Sequence, residues 1–188
     1  MTTAVSPAAG FAPALRRLYF VRFGFAIVWA VLVFLTGRQL GPVAAALVVL
    51  YPLFDVAAAV VDARASKGFA SARGLSVNIV LSLLAAIGLG IALTSGVPAV
   101  LRIWGVWAVV AGLVQLGVAI SRRAMGGQWP MILSGAISVL AGASFVLMAG
   151  QAQPSLTGIA GYATLGGLFF LLSALRLGRA ARTSTPEH

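Results

Sequence analysis

Six apolar runs of about twenty residues follow one another along the chain, each nearly free of charge: Leu18–Thr36, Pro42–Val61, Leu75–Thr94, Val100–Ile120, Pro130–Ala149 and Thr157–Leu175. A run of that length matches a helix crossing a hydrocarbon core of about 30 Å. None alternates strictly, so barrel strands of about ten residues do not fit. Only 9% of the 188 residues are charged and 61% are hydrophobic, whereas a soluble domain keeps roughly a quarter of its residues charged. Lipid must therefore be the solvent, and a backbone in lipid has to satisfy its own hydrogen bonds. The expected fold is all-α: a polytopic helical bundle with six transmembrane helices.

Orientation follows from the cations. Arg16, Arg17, Arg22, Arg64, Lys67, Arg73, Arg122, Arg123, Arg176, Arg179 and Arg182 fall on one side of the spans, and only Arg38 and Arg102 on the other. The positive-inside rule then puts both termini in the cytoplasm, in a bacterial inner membrane. Residues 1–15 read as a disordered cytoplasmic tail, 16–182 as the six-helix domain and 183–188 as a second cytoplasmic tail. The Arg16–Arg17 pair before an apolar run imitates an export signal. That run is too long for one and no clean cleavage site follows, so it is expected as a retained span. Tyr19 and Trp129 at the inner side, with Trp104 and Trp107 at the outer, suit aromatic belts.

The even-numbered spans resemble one another. Aligning Leu53, Leu113 and Leu168 also aligns Ala59, Ala119 and Ala174, with cationic ends following. The period of about sixty residues is one hairpin, so the architecture is expected to be three repeated hairpins of parallel topology. The third and fifth spans share small residues four apart: Ser82, Ala86 and Gly90 against Ser138 and Gly142. Such stripes let helix backbones approach and could also join copies of the chain in a homo-oligomer.

Asp55 carries most of the chemical interest. An acid at the centre of a membrane helix costs roughly 2.5–3.5 kcal/mol and so needs a partner, water or a proton. It lies about six residues inside the inner boundary, roughly 9–10 Å deep. Arg22, Asn78, Gln115 and Ser134 fall at similar depth, so one polar layer is expected there. Pro52, one turn before Asp55, frees the carbonyl of Val48 and can kink the span. Three readings stay open. Asp55 titrates and the layer tunes it, or Asp55 pairs with Arg22 while the amides act as interhelical glue at about 0.6 kcal/mol each, or Asp55 snorkels toward the inner interface. Asp62, two turns on and beside Arg64, reads as an interfacial residue, and Phe23, Phe25 and Trp29 as lipid-facing.

Catalysis is poorly served. The single histidine is His188, beside Glu187 in the tail, and three acids in all assemble neither a triad nor a metal site. No cofactor is expected. The absence of cysteine excludes disulfides and thiolate ligands. The Gly88–Gly90 pair follows no strand, so it is no phosphate loop. The net charge of +10 sits at span ends rather than on a stripe, which fits anionic lipid headgroups of the bilayer and not nucleic acid.

Trp107–Arg123, Ser134–Met148 and Tyr162–Arg176 together form Gly-Leu-containing even spans ending in Ala, a hydrophobic residue and Arg, with a Gly-rich odd span between. This pattern resembles the HdeD family of bacterial acid-resistance membrane proteins. The likeness covers about Arg16 to Arg182, and Pro52 departs from it where Gly112 and Gly167 stand in the other repeats. It implies an inner-membrane, acid-stress setting without supplying catalytic residues. The leading expectation is a stress protein sensing or conducting protons at Asp55. The alternatives are a structural scaffold subunit and a small-solute transporter, the last disfavoured by the shortage of intramembrane charges and of broken helices beyond Pro52.

Overall fold

The computed structural model describes residues 7–65, 72–121 and 128–183. They form six helices: α1 Pro7–Thr36, α2 Pro42–Ala65, α3 Ala72–Ala92, α4 Val97–Ser121, α5 Trp129–Met148 and α6 Thr157–Thr183. A 3₁₀ turn, Leu93–Ser95, links α3 towards α4. All six are long and apolar enough to cross a membrane, and no strand occurs among the described residues, so the chain is an all-helical, multi-pass membrane protein. Lys67, Arg122, Arg123, Glu187 and His188 lie outside the described residues.

Local chemistry sets the ends. Pro7 and Pro42 open α1 and α2, and Pro98 and Pro130 stand second in α4 and α5. Proline loses nothing in a first turn, where its missing N–H had no partner. Gly96, at φ 82°, makes the reversal into α4 in a backbone region that side chains resist. The helix α1 begins well inside the expected tail of residues 1–15. Pro7 presets its first turn, and Ala8, Ala9, Ala12 and Ala14 are strong helix formers that carry it into the span.

The helices close into a ring in chain order, each packing mainly on its two neighbours, with α6 returning to α1. Contact alternates around the ring. The most extensive pairs are α4 with α5, α1 with α6 and α2 with α3, while α1–α2, α3–α4 and α5–α6 touch less. The hairpins expected as repeat units are thus the looser pairs, because their small residues face the next hairpin. At Gly105 an added Cβ would lie 2.5 Å from the Gly142 carbonyl oxygen, and at Gly112 2.7 Å from that of Gly135. Backbone meets backbone along the α4–α5 seam. Ala59, Ala119 and Ala174 are all fully buried, while Leu53, Leu113 and Leu168 all face outward.

Gly90 is exposed with nothing within 4 Å, so the expected third-span stripe ends at Ala86. Eight residues from Ser82 carry a side chain about 80° round a helix of 3.6 residues per turn. Leu89, seven residues on, is buried in its place.

Buried apolar side chains gather in one half of the ring, near the end that carries Arg38 and Arg102. Val33, Val48, Leu89, Leu101, Trp104 and Ile159 belong to this plug. Trp29 is its centre, not a lipid-facing residue: it is 1% exposed, donates its indole N–H to the Leu47 carbonyl at 2.7 Å and stacks on Trp104 at 5.4 Å. Trp104 is likewise buried and belongs to no interfacial belt, since it sits seven residues, about 10 Å, down α4. Phe25 packs on Phe54 at 3.7 Å and on Tyr51 at 5.7 Å. Of the expected belt residues Trp129 is well exposed. Beyond the plug, the Leu156 N–H and the Ser155 hydroxyl both donate to the Gly37 carbonyl, at 2.9 and 3.3 Å, tying the two connecting loops together.

The seam predicts that Gly142→Ala lowers the thermal unfolding temperature, by an overpacking cost of about 1–3 kcal/mol, because carbonyl and amide backbone rather than flexible side chain stands in the way. Gly90→Ala, into open space, leaves it unchanged or raised. Melting curves of the two purified variants in detergent check the contrast, and equal melting would deny the close approach of α4 and α5.

Candidate functional site

Asp55 projects from α2 into the half of the ring that the plug leaves open. Its carboxylate is fully used. Oδ1 accepts from an Arg22 guanidinium nitrogen of α1, while Oδ2 accepts from the Asn78 amide at 2.7 Å and the Ser82 hydroxyl at 2.8 Å, both from α3. Both charged side chains are close to nine-tenths buried, at 12% and 13% exposure. Arg22 also lies 4.2 Å over the ring of Phe170 in α6, a cation–π contact that joins a fourth helix to the group. One acid thereby ties α1, α2 and α3, and its ionised form satisfies all three donors.

Of the residues expected in the polar layer, Arg22, Asn78 and Asp55 are bonded together. Gln115 and Ser134 are not bonded to Asp55, but they line the same cavity. Ser82, expected as packing, is an Asp55 ligand as well as a fully buried residue. Ser138, also expected as packing, accepts from the Tyr162 hydroxyl at 3.0 Å and donates to the Ser134 carbonyl at 2.9 Å. Ala86 is buried among the helices, and Gly142 meets α4 backbone. Asp62 is half-buried and has partners of its own.

The cavity has a volume of about 660 Å³ and takes lining from all six helices. It starts under the plug, where Tyr51, Trp107 and Tyr162 stand, and reaches the arginine-bearing end at Gly74, Gln128 and Arg176. Its wall is chiefly apolar, with Phe169, Phe170, Leu165 and Met131 among the contributors. Arg22 Nε and the Trp107 indole N–H, on two of the lining residues, and the Trp104 indole N–H in the plug are buried with no acceptor among the described residues. No cluster of three metal-ligating side chains occurs among the described residues.

Tyr51, Trp107, Tyr162 and Phe170 were missed as site residues. One signal could have found them. Arg22, Asn78 and Ser134 stand at equal intervals of 56 residues, and Asp55, Gln115 and Phe170 occupy one register of the even spans. All six line the cavity. One turn back along α2 reaches Tyr51, and about two turns back along α4 and α6 reach Trp107 and Tyr162, the aromatic floor.

Comparison with protein-family models, with curated proteins and with solved structures gave no match.

Removing one partner of a buried ion pair leaves an uncompensated charge, a loss of about 3–5 kcal/mol. Asp55→Asn and Arg22→Gln are therefore each expected to lower stability sharply. The double variant should recover much of the loss, giving a coupling of at least about 1 kcal/mol in a thermal or denaturant double-mutant cycle. Additive losses would mean that the two side chains act independently.

Proposed function

We propose that this chain is a multi-pass inner-membrane protein that binds, and carries, a small solute in a cavity facing the cytoplasm. The observation that carries the reading is the 660 Å³ cavity on the ring axis, within the 300–1,000 Å³ range of ligand sites, closed at its far end by the Trp29–Trp104 plug. Close-packed bundles leave few voids larger than a water molecule, and this one takes its lining from all six helices. The cytoplasmic placement of the open end, and of both termini, comes from the charge bias of the sequence. The three-hairpin repeat suits this reading, because the alternation of close and looser seams recurs every two helices. Movement would fall to the looser seams, and among the hairpin pairs α5 and α6 pack least.

A proton-linked role for Asp55 is the second reading, favoured by its place on the cavity wall. Protonation would cancel the charge that holds Arg22 and weaken the bonds from Asn78 and Ser82, coupling the charge to the packing of three helices. The resemblance to acid-resistance proteins supplies the setting in which that would matter. Scaffolding through the small-residue faces is weaker, because the Gly105, Gly112, Gly135 and Gly142 faces are already spent inside the ring. The proposal includes no catalytic step and no cofactor.

Because the native chain has no cysteine, single introduced thiols report cleanly. A membrane-impermeant maleimide should label Ser134→Cys and Gln115→Cys in inside-out vesicles and not in right-side-out ones. Leu101→Cys, in the plug, should resist from both sides. Labelling of the cavity thiols from the outer face alone would overturn the orientation, and no labelling from either face would remove the solute site. Proton flux into liposomes with wild type and a folded Asp55→Asn variant decides the second reading. Flux lost only in the variant supports it, and equal flux ends it.

A further inference from the structure

We propose that the ligand of this cavity is an organic anion: a carboxylate or phosphate head on an aromatic or aliphatic body. The inference rests on reading the cavity as a solute site and specifies its chemistry. Three charged side chains line the cavity, and they are unequal: Arg22 and Arg176 against Asp55 alone. Asp55 is not free to receive a cation. Both its oxygens are occupied by Arg22, Asn78 and Ser82, and an amine entering there would have to displace donors from three helices. The donors show the opposite condition. Arg22 keeps Nε without an acceptor and Trp107 keeps its indole N–H without one, both on residues that line the cavity, each atom covered by its neighbours.

Buried donors without partners cost free energy until an acceptor arrives, so a small turn of either side chain that brings its N–H to the cavity is favoured by an oxygen atom there. Arg176, exposed at the mouth, adds a positive charge where an anion would enter. A charge-assisted bond to an arginine is roughly twice as strong as one between neutral groups. Such a head cannot fill the space alone. The rest of the wall is largely apolar, with Phe169, Phe170, Leu165 and Met131 offering rings and methylenes to a hydrophobic body. An amphipathic anion satisfies both halves, and inorganic phosphate or chloride satisfies only one. The same head chemistry belongs to a soluble aromatic acid and to an anionic lipid.

The test uses the full chain in phosphatidylcholine nanodiscs, titrated with 2-naphthoate, 2-naphthamide and 2-naphthylmethylamine and followed by calorimetry and by tryptophan fluorescence. Naphthoate should bind at least about tenfold more tightly than the amide, the ratio expected from one added charge-assisted hydrogen bond, and the amine least. Ala111→Trp, which fills the cavity from α4, should abolish binding without unfolding the protein. Trp107→Phe keeps the ring and should reduce the naphthoate preference by removing the indole donor. Where Arg22→Gln alone fails to fold, Arg22→Gln with Asp55→Asn removes the pair together and should erase the preference. Exchanging part of the phosphatidylcholine for phosphatidylglycerol separates the sources. Competition against naphthoate identifies a lipid head, and unchanged affinity a soluble anion. Equal binding of acid and amide, or tighter binding of the amine, overturns the anion while leaving the solute site standing. If none of the three probes binds a folded wild type, the solute site itself is lost, and the inference with it.

Discussion

A carboxylate two turns deep in hydrocarbon survives only if something else holds its charge, and in this protein three helices are arranged to do so. Arg22 from α1 and Asn78 with Ser82 from α3 converge on Asp55 of α2. Insertion of the acid costs roughly 2.5–3.5 kcal/mol, so its partners have to arrive with it. Geometry follows from that requirement. Fixing α1, α2 and α3 around one side chain fixes one wall of the cavity, and the Phe170 ring over Arg22 extends the same constraint to α6. The ion pair is thus a device for register more than for stability, since replacing such pairs with apolar residues is often neutral.

The opposite wall is built from something quite different. Along α4 and α5 no charge directs the fit, and glycine does. Gly105 and Gly112 meet Gly142 and Gly135 so closely that a single added carbon would touch backbone oxygen. Lipid gives helices no hydrophobic reason to associate, so close backbone approach and dispersion supply it. The ring therefore has a polar, specified side and a tightly packed, unspecific side. Between them the aromatic plug of Trp29, Tyr51 and Trp104 closes one end, and the rings' mutual contacts add to their burial.

Hydropathy alone disclosed the six helices, because hydrocarbon leaves a backbone almost no other choice. Depth along each span was enough to place Asp55, Arg22 and Asn78 in one layer. What stayed hidden was rotation. Trp29 looks lipid-facing on a span that is apolar all round, since nothing in such a pattern says which face turns inward. Gly90 looks like the end of a stripe until the 3.6-residue turn is applied over eight residues. Ser82 looks like packing and is also a ligand, because a serine on a small-residue face can do both. The start of α1 was misplaced for another reason: Ala and Pro near a terminus read as disorder although Pro7 opens a helix.

The separation of plug and cavity along the ring carries a consequence for any movement. All the fully buried aromatic bulk lies at one end, so opening that end would expose Trp29 and Trp104 and break the indole bond to Leu47. Closing the other end would need only that α4 and α5 swing inward as their glycine seam already binds them, on the looser contacts with α3 and α6. Among the described residues, a side-chain hydrogen bond crosses the α5–α6 seam from the Tyr162 hydroxyl to Ser138, on the cavity wall itself. If the cavity carries a solute as proposed, a solute seated beside this bond would touch the joint on which that movement turns. Occupancy and movement would then share one hydrogen bond, which is the economical place to couple them.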